Sequence, residues 1–113
     1  MLVMESPGNI LLSILLEQKH QIVDDWVNLI CKLPDSHYQS LQFDDVRNTC
    51  LQGIEALIQL QESGSDAGIN QYLHQISLKR LEQGFDIREV IQALLYLHQA
   101  VFLTAYQCLE YEP

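Results

Sequence analysis

The chain predicts an all-α domain, a helical bundle of four main helices with a globin-like arrangement as one option, and a short extra turn near residues 34–42. Three observations carry this reading. Apolar residues recur at spacings of three and four over long stretches, which matches 3.6 residues per helical turn. No stretch of useful length shows the two-residue alternation of a half-buried strand. Gly, Pro and Ser-rich punctuation falls between the periodic stretches rather than within them, Gly53 excepted.

Residues 1–9 read as an N-terminal extension ending in Pro7-Gly8-Asn9, with Asn9 as a helix cap, and residues 10–110 as one domain. A first long helix is expected from Ile10 to about Leu33, with Leu12, Leu15, Leu16, Ile22, Val23, Trp26, Ile30 and Leu33 on one broad stripe. Lys19, Gln21, Asp24, Asp25 and Asn28 complement it on the wet side. It stops at Leu33-Pro34, because the residue before proline is pushed out of the helical region. A polar linker with His37 and Tyr38 follows.

The second helix starts near Phe43-Asp44-Asp45, whose acids favour the positive end of the helix dipole. It continues to about Leu60, with Gly53 inside it at a cost of about 1 kcal/mol relative to Ala unless close packing uses its small size. Glu62-Ser63-Gly64-Ser65-Asp66 breaks the pattern, and Asp66 can cap a third, shorter helix. Its apolar edge is Ile69, Leu73, Ile76 and either Leu81 or the stem of Arg80. That helix ends at Gly84, which lacks the Cβ that makes positive φ costly. Two residues on, Asp86 and Glu89 form a D-x-x-E capping box for the fourth helix, Ile87 to about Leu109. The connection is short enough to make the two helices neighbours. Apolar residues cover more than half the circumference of the fourth helix, Leu94 among them, so it is expected to be the central, most buried one.

Bulk properties narrow the function classes. The 113 residues suit one domain that buries about two-thirds of its unfolded surface. An apolar fraction of 48% fits a folded core. Six Lys and Arg against fifteen Asp and Glu give a formal charge of −9. That balance speaks against nucleic acid and against anionic membranes, since Lys and Arg supply affinity for phosphate. The apolar run Ile10–Leu16 is far too short to span a bilayer, and no basic segment precedes it. Cys31, Cys50 and Cys108 are widely spaced, with no C-x-x-C, so they read as free thiols in a reducing cytoplasm.

No set of residues organises into a catalytic constellation. Cys50 with His74 or His98, and Cys31 with His20, are Cys–His pairs on paper, but nothing in the sequence ties either pair together. Asp24-Asp25 and Asp44-Asp45 could suggest a metal, yet adjacent helical residues diverge by about 100°. They read better as solvated faces. His98, in the apolar run Leu94–Val101, could ligate haem opposite His74 if it lay in the core, with Tyr96 and Phe102 as pocket walls. A histidine at the bundle edge is the plainer reading. His20 reads as a surface side chain rather than a phosphotransfer site. Trp26, Tyr72, Tyr96, Phe102 and Tyr106 fall at helical spacings and fit a core, a ligand pocket or a protein-binding stripe. The expectation is therefore no enzyme, no metal and no cofactor, with Trp26, Gly84, Asp86, Glu89 and Leu94 as structural residues.

Three segments carry a resemblance. The first is Leu15-Leu16-Glu17 through Ile22-Val23-Asp24-Asp25-Trp26 in the first helix. The second is Tyr72 through Phe85, with an A-x-x-R-x-x-x-G-like end in which Ser77 stands at the small-residue position before Arg80 and Gly84. The third is Ile87-Arg88-Glu89-Val90-Ile91-Gln92-Ala93-Leu94. Together they resemble the N-terminal regulatory domain of RsbR-type co-antagonists, the RsbRD N-terminal family, over about residues 10–108. The resemblance implies a helical, often dimeric input domain of a bacterial signalling protein that passes a signal to an output module or protein partner. It implies no shared catalytic residues. An output module, in such an arrangement, would follow Pro113.

The Gly84 reading has a direct check. Gly84→Val should lower the denaturant midpoint by an amount equivalent to about 1–2 kcal/mol or more, because a β-branched residue resists the left-handed region. Equal stability of the two proteins would contradict a left-handed Gly84.

Overall fold

The structure, a computed structural model, describes the backbone of residues 7–110 and the side chains of residues 10–109. The expected extension therefore lies outside the described residues as far as Ser6. Among the described residues the fold is all-helical. Its order is α1 (Pro7–Glu17), α2 (Lys19–Cys31), a 3-10 turn (His37–Ser40), α3 (Phe43–Ser63), α4 (Ala67–Glu82) and α5 (Ile87–Glu110).

The first long helix is in fact two. Gln18 leaves helical geometry at φ −109° and ψ 17°, although its N–H still donates to the Ile14 carbonyl at 2.8 Å and its carbonyl accepts from the Ile22 N–H at 2.9 Å. The break is thus a kink bridged by hydrogen bonds. α1 contacts α2, α3 and α5, while α2 contacts α3, α5 and the 3-10 turn. Asn9 falls inside α1 rather than ahead of it.

The core is centred on α2, not on the last helix as the sequence suggests. Ile22, Val23, Trp26, Val27 and Ile30 are all buried, and α2 with α5 is the most extensive helix pair. The Trp26 Nε1–H donates to the main-chain carbonyl of Ala93 at 2.6 Å, tying α2 to α5 across the core. A buried indole needs such an acceptor. Leu15 from α1, Val46, Cys50 and Ile54 from α3, and Tyr72 and Ile76 from α4 complete the packing. Leu94 is partly buried against this cluster.

α5 is two-sided. Val90, Ala93, Ala100 and Thr104 face the core and are buried, whereas Ile87, Ile91, Leu95, Phe102, Leu103, Tyr106 and Leu109 are exposed. The expectation of a central helix is corrected here: small residues bring one face of α5 close to α2, and the large ones point away.

The helix ends follow local chemistry, with one exception. α3 closes at Gly64, φ +71°, whose N–H donates to the Leu60 carbonyl at 2.8 Å. Asp66 precedes α4 but its side chain caps nothing; the Ser65 hydroxyl takes the Ala67 N–H instead, at 3.3 Å.

Gly53 is used for close packing. A Cβ there would lie 2.8 Å from the Tyr72 ring and hydroxyl and 3.0 Å from Trp26, and the Tyr72 hydroxyl is held by the Thr49 carbonyl at 3.0 Å. Gly53→Ala should therefore destabilise by about 1–3 kcal/mol in urea denaturation despite the gain in helix propensity. A stabilised variant would show that α3 and α4 can part without cost.

Candidate functional site

Two features stand out from the packed scaffold: a polar knot around the α4–α5 junction and the outer face of α5. The junction starts from Gly84, whose φ of +90° is accessible to glycine. The Phe85 N–H donates to the Arg80 carbonyl at 3.0 Å and the Gly84 N–H to the Leu81 carbonyl at 3.1 Å, the paired bonds of a Schellman ending. Asp86 then accepts the Arg88 N–H at 2.8 Å, and Glu89 accepts the Asp86 N–H at 2.9 Å. This is a reciprocal capping box.

Glu89 does more than cap. It also accepts the His37 main-chain N–H at 3.0 Å and faces His37 Nδ1 at 2.9 Å, so one carboxylate fastens the 34–42 linker to the head of α5. These hydrogen bonds, the His37 main-chain N–H first, hold the Glu89 carboxyl below the usual carboxylate range. Asp86 is lowered as well, chiefly by its bonds to Arg88.

Beneath the junction lies Arg80, 1% exposed. Its Nη1 donates to Gln83 Oε1 at 2.9 Å and its Nη2 to Thr49 Oγ1 at 3.1 Å. The guanidinium sits 5.4 Å from the Tyr38 ring centre and 5.6 Å from that of Phe85, distances at which a cation and an aromatic face attract. The 3-10 turn brings Tyr38, α3 brings Thr49, and the α4–α5 junction brings Gln83 and Phe85. Burial pushes the Cys50 thiol up to about 12, against a smaller opposing pull from Arg80. It also raises Tyr38 and Tyr72 above the ordinary phenol range. The neighbourhood is therefore neutral except for the guanidinium. Arg80 and Leu81 are alternatives for the apolar edge in the sequence; Leu81 is exposed and Arg80 is inside. The i, i+4 series Tyr72–Ile76–Arg80 carried that signal.

The residues weighed for a cofactor do not converge. His98 is exposed on α5 and its ring stacks with that of exposed Phe102, the centroids 6.4 Å apart. His74 is exposed on α4, and Tyr96 is partly buried at the edge of the core. His98 thus lies at the surface, as its plainer reading has it, and not in the core where a haem ligand would have to be. Neither His74 nor His98 lines the chamber that contains Cys50. Among the described residues, no group of three or more His, Cys, Asp and Glu side chains comes together.

On the outer face of α5, Ile91, Leu95, His98, Phe102, Ala105 and Leu109 follow each other at steps of four and three. That is the a/d spacing of a coiled-coil seam. Leu95, Phe102 and Leu109 are 57%, 61% and 58% exposed. An apolar groove of about 280 Å³ between α1 and α5, lined by Ile10, Leu11, Ile14, Ala105 and Leu109, extends the seam at its C-terminal end. Residues 90–109 include no Asp, Glu, Lys or Arg, in a chain of net charge −9.

Compared with family models, curated proteins and solved structures, the chain matches none of them. Among the described residues, no helix is long and apolar enough to cross a membrane.

The Glu89 geometry sets a pH dependence. A carboxyl lowered in the folded state stabilises the fold above its unfolded value of 4.5, and that contribution fades as pH falls through the folded value. The urea midpoint of the wild type should therefore drop with acid below about pH 5. Glu89→Gln should be less stable at pH 7 and show a flatter acid limb. An unchanged acid limb in Glu89→Gln would contradict the role given to Glu89.

Proposed function

We propose that this chain is a non-enzymatic regulatory input domain of a bacterial, cytoplasmic signalling protein, working through helix-mediated contact and assembling as a homodimer through the outer face of α5. The observation that carries the reading is the seam Ile91–Leu95–His98–Phe102–Ala105–Leu109. Fully burying a Leu, Ile or Phe side chain contributes about 1.5–3 kcal/mol, and this face leaves several of them in water. The resemblance to RsbR-type N-terminal domains points the same way, toward a helical bundle that passes a signal to an output partner.

A second copy is the occupant that fits best. Each chain carries a strong negative charge, so most of its surface repels another copy. The charge-free stretch of α5 is where two copies can meet without opposing carboxylates. A two-fold pairing there is self-complementary, residue against equivalent residue, and leaves no open end. In a bundle of this kind the junction knot sets where α5 begins, and the seam sets how two such helices meet. A change in one copy is thus felt by the other through α5.

Sedimentation equilibrium tests this. The wild type should sediment as a dimer of the 13.0 kDa chain at micromolar concentration, more tightly as salt screens the acidic surfaces. Leu95→Glu should shift it to monomer, with helical circular dichroism retained because Leu95 is exposed. A monomeric wild type, or a dimer indifferent to Leu95→Glu, would contradict the reading.

A further inference from the structure

We propose that the chamber under Arg80 is a binding site for one small monovalent inorganic anion of halide size. A cavity of about 20 Å³ lies there, walled by Trp26, Tyr38, Thr49, Cys50, Tyr72 and Arg80 among others. It exceeds the roughly 10–15 Å³ needed to admit one water-sized body. Phosphate, sulfate and organic acids are too large for it.

The wall chemistry selects for negative charge. A guanidinium keeps its charge inside proteins, and Arg80 is 1% exposed with its Nε atom unpartnered. No Asp or Glu lines the chamber. The groups that could ionise beside it stay neutral: burial raises the Cys50 thiol and the Tyr38 and Tyr72 phenols. Glu89, the acid at the junction above, is taken up by the N–H groups of His37 and Asp86 and by the His37 ring. Thr49 already accepts from Nη2 and Gln83 from Nη1, which leaves the Nε–H as a donor without an acceptor.

A buried cation without a counter-charge is costly, and aromatic faces offset only part of it. An anion at Nε supplies the missing charge. Bound there, it also fixes Tyr38 of the 3-10 turn and Phe85 at the head of α5 around one neutralised centre. The site is independent of the outer face of α5 and holds for a monomer or a dimer.

Thermal melting of the full chain in sodium chloride, against sodium gluconate at equal ionic strength, tests the proposal. Gluconate does not fit the chamber. Tm should rise by several degrees and saturate with chloride, as expected when a ligand binds only the folded state. Arg80→Met should lose that increment. Should Arg80→Met not fold, wild-type crystals soaked in sodium bromide decide: an anomalous peak beside Arg80 Nε supports the site. Identical melting in the two salts, or a chamber holding only water in the bromide crystals, overturns it.

Discussion

α5 carries more apolar surface than the other described residues cover, and much of the structure's meaning follows from how that surplus is divided. The helix has two seams at coiled-coil spacing. The inner one, Val90, Ala93, Leu97, Ala100 and Thr104, is built mainly of small residues and packs on α2 and its neighbours. The outer one holds Ile91, Leu95, Phe102 and Leu109, all exposed. A single Trp26 hydrogen bond to the Ala93 carbonyl helps hold the inner seam against α2. Once that contact is made, the larger side chains have nowhere to go but outward. Among the described residues, no further element covers them.

The α4–α5 junction then determines where α5 starts and how it is aimed. Gly84 ends α4, Asp86 and Glu89 start α5, and His37 fastens the preceding linker to the same carboxylate. Arg80 lies beneath this arrangement and joins α3, the 3-10 turn and the junction through Thr49, Tyr38, Gln83 and Phe85. Buried ionic groups seldom add net stability compared with well-packed apolar ones. A guanidinium here instead makes three segments depend on one another. That is a useful property in a domain read as a transmitter of signals, since a change at the linker is felt at the head of α5.

Legibility in the sequence tracked how local each feature is. The Gly84 stop and the Asp86–Glu89 box involve neighbours in sequence, and their chemistry could be read directly. The start of α3 at Phe43 and the break at Gly64 are local in the same sense. The kink at Gln18 was not legible, because no Pro or Gly marks it and hydrogen bonds run across it. The apolar neighbours of His98 left a core position open beside the plainer edge position, because the outer seam is as apolar as the inner one. Counting apolar residues around α5 could not say which of them the monomer covers; that depends on where α2 lies. Tyr38 needed tertiary contacts to be found. The i, i+4 series Tyr72–Ile76–Arg80 places the Arg80 stem on the apolar edge. Burial of its charged end as well is not local information, since an arginine near a helix end ordinarily faces water.

The account stands on the outer seam of α5 being covered by a second copy. Hydroxyl-radical footprinting across a dilution series measures this side chain by side chain. The account predicts that Leu95, Phe102, Tyr106 and Leu109 become protected together as protein concentration rises, while Leu78 and Leu81 on α4 stay reactive. Labelling of the seam that does not change with concentration, or protection that appears on α4 instead, would contradict it.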